Sequence, residues 1–333
     1  MTSPSRTTTG APAPVGRTPF AAPGLLFALL SAAAFGTSGA FGRSMLDTGW
    51  TPGAVVLLRI ATAAVLLLVP TVLALRGRWS LLRRNLGIVL GYGVFAVAGA
   101  QLAYFSAIEH LSVGVALMIE YLAPVLIVGW VWARTRVRPT RLTGLGVALS
   151  LAGLALVLDL GSDVRISVVG VAWALVAAFG LAVYFLLADR GGDDDDLPPI
   201  ALAGSGLVVG AMVLGLAGLV RALPMRASTT DVAVADVSLP WWVAGLELAV
   251  VAGVFAYILG IVAVRRLGAT VGSFAALTEV LFAVLFAWVL LDQLPVPVQL
   301  LGGALILAGV VAVRLGASAQ PAVLTTPRRR EGG

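Results

Sequence analysis

The chain has 333 residues, 59% hydrophobic and 11% charged, with a mean hydropathy of +1.02; soluble domains carry about 25% charged residues, so this composition excludes a water-facing globule. All 22 basic residues are Arg, Cys is absent and His110 is the single His, which excludes disulfides, thiolate chemistry, multi-His metal centres and a Lys-based phosphate loop. The net charge of +6 reads as Arg gathered in cytoplasmic loops of a membrane protein, not as nucleic-acid binding.

A spanning helix needs about 20 predominantly apolar residues. Residues 1–21 are rich in Ser, Thr, Pro and Gly and predict a disordered cytoplasmic tail. Ten apolar runs follow, at approximately 22–42, 53–75, 86–108, 112–133, 141–159, 168–188, 199–220, 241–263, 269–291 and 297–315. The first is too long for an ordinary signal-peptide core and nine more succeed it, so it reads as an uncleaved helix. The acidic run Asp193–Asp196 reads as a solvated loop rather than a calcium site. Gly204-Ser205-Gly206 lies in an apolar span and follows no strand, so it is not a nucleotide fingerprint. Residues 317–333 predict a basic cytoplasmic tail ending in Arg328-Arg329-Arg330.

The apolar sequence is written twice. Residues 111–158 align without a gap on residues 267–314 at a constant offset of 156, with identities at Leu111/Leu267, Trp132/Trp288, Pro139/Pro295, Gly146/Gly302 and Gly153/Gly309. Gly24, Ala28, Leu29 and Ala32 match Gly170, Ala174, Leu175 and Ala178 at a second offset. The expected architecture is an all-α membrane protein of ten transmembrane helices, with a first five-helix repeat over 22–160 and a second over 161–316. An odd number of spans per half sends the second half into the membrane from the other side, so the repeats are expected to be inverted. With the N-terminus inside, 17 Arg residues fall on the cytoplasmic side and 4 (Arg43, Arg165, Arg221, Arg226) outside. That asymmetry predicts cytoplasmic termini.

Four ionisable side chains lie within spans: Arg59, Glu120, Glu247 and Glu279. Such residues cost about 2.5–3.5 kcal/mol each on insertion scales and mark substrate or ion pathways. At 1.5 Å per residue, Glu120 and Glu279 stand near the bilayer midplane on the repeat-related fourth and ninth spans. Arg59 is expected to pair with Glu247 or Glu120, or to snorkel outward. Pro124 removes a backbone donor and predicts a kink beside Glu120 and Tyr121; the counterpart of Pro124 in the ninth span is Val280, so the kink is expected in one half. Gln101 and Tyr104 share a face of the third span, and Tyr184 and Tyr257 complete the candidate pathway. Glu109 and His110 occupy the turn between the third and fourth spans. Gly146 with Gly153, and Gly302 with Gly309, read as packing stripes.

These residues resemble the EamA-type branch of the drug/metabolite transporter superfamily. The resemblance is carried by TPGAVVLLRIATAA around Arg59, by AYFSAIEHLSVG, by IEYLAPVLIVGWVW around Glu120, and by the echo AVRRLGATVGSFAALTEVLFAVLFAWVLL in the second half. It covers about 22–315. Two departures are Val280 in place of a Pro and Asp292-Gln293 in place of Gly-Glu. The resemblance implies a secondary active transporter, favouring export, of small metabolites such as amino acids. It implies alternating access in the bacterial inner membrane, with proton coupling through Glu120 or Glu279 as an open expectation. A non-transporting receptor or lipid-handling scaffold of the same fold is the alternative. No cofactor or enzyme activity is expected. The expected partners are a small-molecule substrate and the lipid bilayer, and pairing of two copies as a homodimer stays open.

Overall fold

The computed structural model describes residues 21–136, 138–157, 167–188, 197–260, 262–263 and 277–318. Nearly all of both expected tails, the Asp193–Asp196 run and the first part of the ninth apolar run lie outside the described residues. Helix occurs within each of the ten apolar runs. The elements are α1 (Ala21–Asp47), α2 (Pro52–Leu75), α3 (Trp79–Arg84), α4 (Leu86–Ile108), α5 (Val113–Glu120), α6 (Ala123–Thr135), α7 (Arg141–Val157), α8 (Val168–Ala188), α9 (Pro199–Leu219), the strands β1 (Val232–Val234) and β2 (Val237–Leu239), α10 (Trp241–Gly260), α11 (Thr278–Leu291) and α12 (Pro297–Ser318). Among the described residues, six helical stretches are long and apolar enough to cross a membrane: Pro23–Asp47, Pro52–Leu75, Leu86–Ile108, Val113–Arg134, Ile200–Leu219 and Trp241–Gly260. The apolar stretches in α7, α8, α11 and α12 are shorter. Leu68, Val69, Leu216 and Leu281 point outward, as a lipid-facing surface requires.

The fourth run is two helices. Tyr121 and Leu122 form a turn between α5 and α6, and Pro124 stands in the first turn of α6. Pro cannot donate to the carbonyl one turn earlier and fits the start of a helix, so the chain restarts there. In the second half α11 begins at Thr278, after a turn at Leu277, within one residue of the position equivalent to Ala123. A helix therefore starts at this register in both halves, with Val280 where the first half has Pro124.

Two regularities were not legible beforehand. The middle of α4, Tyr92–Gly99, is π-helical, and so is Glu247–Phe255 in α10. Displaced by the repeat offset of 156, the first segment falls on residues 248–255 of the second. Both halves thus carry a widened helix at the same place; π segments concentrate at functional sites.

The segment after α9 folds back as a hairpin, with Val232 opposite Leu239 and Val234 opposite Val237. Its two-residue turn, Ala235-Asp236, has φ of +52° and +60°, the left-handed pair of a tight primed turn usually given to Asn-Gly. Docking holds it. Val232 and Val234 are buried in the main core, β1 packs against α1, and the Ala235 amide donates to the Leu290 carbonyl at 3.0 Å. Upstream, the Thr51 amide donates to the Arg226 carbonyl at 3.0 Å and its hydroxyl donates to the Pro224 carbonyl at 2.8 Å.

The principal contacts between helices exchange partners between the halves. α1 packs on α10 and α11, α8 on α4 and α5, α2 on α9, and α7 on α12. Under the repeat correspondence, the first two sets interchange and the last two map onto themselves. The α7–α12 seam is built from glycine. A Cβ at Gly146 would stand 2.5 Å from the Gly309 carbonyl oxygen and 2.7 Å from the Val313 amide nitrogen. A Cβ at Gly302 would stand 2.6 Å from the Gly153 oxygen and 2.7 Å from the Val157 nitrogen. Residue 146 meets the counterpart of 153, and 153 meets the counterpart of 146. That reciprocity describes an antiparallel pair whose backbones touch.

Candidate functional site

The site begins on α1, at Gly36-Thr37-Ser38-Gly39. A Cβ at Gly36 would lie 2.8 Å from Phe282 Cβ and 3.0 Å from the Ala283 amide nitrogen of α11, and Gly39 is pressed against Val113 and the Tyr104 hydroxyl. The two glycines bring the helix close enough for the hydroxyls between them to reach neighbouring helices. Ser38 Oγ accepts from Arg59 Nη1 at 2.5 Å, and Thr37 is hydrogen-bonded to Glu247.

Arg59 is buried within the protein, 5% exposed. Its second terminal nitrogen donates to the Ala252 carbonyl at 3.0 Å, inside the π segment of α10, and its guanidinium lies 5.9 Å from the Phe105 ring centroid. Both expectations for this residue are corrected. It does not snorkel, because α1, α10 and Phe105 enclose it. It forms no ion pair within 4.0 Å either: among the described residues that geometry belongs to Arg43 and Asp47. Neutral oxygens complete its hydrogen bonds, and the acids Glu247 and Glu279 stand farther off, within electrostatic range.

The turn between α5 and α6 supplies the next groups. Tyr121 is buried, and its hydroxyl donates to Glu279 Oε2 across the halves at 3.1 Å. Glu279 lies in the first turn of α11. Glu120 ends α5, half-buried, within electrostatic range of Glu279 and Arg59. Tyr104 is buried in range of Glu120, Glu279 and Arg59. Gln101, three residues earlier, has a buried amide oxygen without a hydrogen-bond partner. Tyr257 packs edge-on against Phe35 with centroids 5.3 Å apart, and Tyr184 lies against Tyr92 at 5.7 Å. Tyr257 is also in range of Arg59. Glu109 and His110 are exposed in the turn between α4 and α5.

Arg59, Glu120, Glu247, Glu279, Tyr104 and Tyr121 therefore form one interior group, fed by helices of both halves. Thr37 and Ser38 belong to it and were missed by sequence reasoning. Their signal was the glycine pair flanking two hydroxyls on a span, which is a close-approach pattern. Among the described residues no three His, Cys, Asp or Glu side chains gather in a way that could hold a metal ion. The arrangement offers one buried cation, three half-buried carboxyls and phenol hydroxyls on helices of both halves.

The EamA-like transporter family matches residues 22–159 and 168–315, and the chain belongs to it. Among curated proteins it is similar to one described as "Uncharacterized inner membrane transporter YicL" from Salmonella typhimurium (strain LT2), 26% identical over 167 residues. That alignment covers 48% of this chain and about half (55%) of the relative. A solved structure titled "Crystal structure of protein" superposes with a TM-score of 0.59 at 20% identity, over 89% of this chain and 98% of its own; this likeness carries the fold alone.

Proposed function

We propose that the protein is a secondary active transporter of a small metabolite, of the amino-acid class, working by alternating access in the bacterial inner membrane with export as its direction. The observation that carries the reading is the group of buried Arg59 with half-buried Glu120, Glu247 and Glu279, set among apolar helices of both halves. Charged groups are kept at such depth where a path crosses the membrane. Ten spans in two inverted halves are supported by the reciprocal antiparallel contact of Gly146 and Gly153 with Gly309 and Gly302, and by the matched π segments. Cytoplasmic termini are supported by the Arg distribution, and an inner-membrane setting by the family and the relative's description. The substrate lies between the halves, against Glu120, Glu279, Tyr121 and the phenols of Tyr104, Tyr184 and Tyr257, with Gln101 and the Arg59 guanidinium fixing its orientation. The kink at Pro124 lets α5 and α6 move separately.

The test has two stages. Purified protein is heated with each member of a metabolite panel, since a ligand at 100 times its Kd stabilises by about 2.7 kcal/mol. Stabilising compounds are then assayed for flux in proteoliposomes. A compound that stabilises and crosses is the expected result; compounds that stabilise and never cross would refute transport in favour of a receptor.

A further inference from the structure

Thr37 has one hydroxyl proton and meets two acceptors. Its oxygen lies 2.7 Å from the Ala34 carbonyl oxygen on α1 and is hydrogen-bonded also to Glu247 Oε1. A hydroxyl donates once and accepts through two lone pairs. The Thr37 proton goes to Glu247 when the carboxyl is ionised and to Ala34 when the carboxyl carries a proton of its own, so Thr37 can hold either form. The other oxygen, Glu247 Oε2, is buried without a hydrogen-bond partner. An unpartnered carboxylate oxygen in that position carries a far larger desolvation cost than the carbonyl oxygen of a neutral acid. The orphaned oxygen is the observation that favours the carboxylic acid, and Thr37 is placed to accept from it.

The surroundings give that proton a consequence. Of the elements packed on this part of α10, α2 presents Arg59 and α1 presents Thr37 and Ser38; on α10 itself Tyr257 faces Arg59. Arg59 is in electrostatic range of Glu247 yet bonded to Ser38 and to the Ala252 carbonyl. We propose that Glu247 is a proton-binding site, separate from the Glu120–Glu279 pair, whose occupancy sets the partner of Arg59. Protonated, Glu247 is held by Thr37, and Arg59 stays on Ser38 and Ala252. When the carboxyl releases its proton to water, the carboxylate formed draws Arg59 from those neutral oxygens. Thr37 and Ser38 are consecutive residues of α1, so the exchange is felt on the helix that packs across the halves. At the repeat offset of 156, Glu247 falls on Gly91 of the first half, which carries no carboxyl. The use of Glu247, with the proton as the coupling ion, rests on the transporter reading.

The experiment titrates the full chain, purified in detergent, from acid to alkaline pH under infrared difference spectroscopy, with protons the sole ligand. The expected spectrum contains a protonated-carboxyl component that Glu247→Gln removes and that Thr37→Val, which keeps the carboxyl and deletes its hydroxyl partner, shifts to higher frequency. Absence of either change in folded protein overturns the proposal. Should Glu247→Gln fail to fold, the presence or absence of the shift in Thr37→Val decides by itself. No substrate enters the measurement. A chain that gives these bands but moves nothing across liposomes would sink transport and leave the proton site standing; flux without the bands would do the reverse.

Discussion

Gly153→Ala is a sharp test of the α7–α12 seam. The added Cβ would stand 2.5 Å from the Gly302 carbonyl oxygen and 2.8 Å from the Ile306 amide nitrogen. Unstrained contacts between heavy atoms lie at about 3.5–4.0 Å, so the helices must part by about 1 Å. The obstructing atoms are backbone, which cannot rotate away, so the cost belongs at the top of the range for overpacking, about 3 kcal/mol. Replacing Gly with Ala in a helix returns about 1 kcal/mol. The net expectation is a loss of about 2 kcal/mol, or about 4–8 °C in Tm at about 2–4 °C per kcal/mol. Gly144→Ala, on the same helix, is the control: nothing lies within 4 Å of its added Cβ, so the helix preference remains alone and Tm holds or rises. Thermal unfolding of detergent-purified protein, followed by circular dichroism, reads both. Because Gly153 and Gly302 share one contact, the double substitution to Ala should cost less than the sum of the singles. Equal Tm values for Gly153→Ala and Gly144→Ala would refute backbone contact at the seam.

Ala235→Gly should stabilise the protein by about 0.5–1 kcal/mol, since a left-handed non-Gly residue costs about 1–2 kcal/mol and Gly returns part of that as entropy; a lower Tm would mean that the turn is not the one described. Reporter fusions at Gly333 and in the loop around Thr229 should fall on opposite sides of the membrane, and finding both on one side would remove the ten-span topology. Glu279→Gln should fold and lower flux of the stabilising metabolite about tenfold, equivalent to ~1.4 kcal/mol, near the low end for a hydrogen bond to a charged group; unchanged flux in proteoliposomes would take Glu279 out of the pathway.

The sequence by itself determined the membrane-helical class, the duplication and the break at Pro124. These are local matters: apolar runs long enough for a bilayer, a repeat at fixed offset, and Pro124, whose missing donor marks a break in the fourth run. Gly146 and Gly153, seven residues apart on one face, identified a packing stripe because a missing side chain has few other uses on a span. What the sequence left open was partner choice. Arg59 was expected to meet an acid or to snorkel outward, and it rests instead on Ser38 and the Ala252 carbonyl, residues 21 and 193 positions away in the chain. Nothing local names Glu247 as the partner of Thr37; α1 crosses to α10 and sets it there. The paired π segments and the Ala235-Asp236 turn follow no local preference; docking partners hold them. Local preference acts within one helix or turn, whereas these features depend on how the two halves exchange helices, and that exchange is fixed only when distant segments pack.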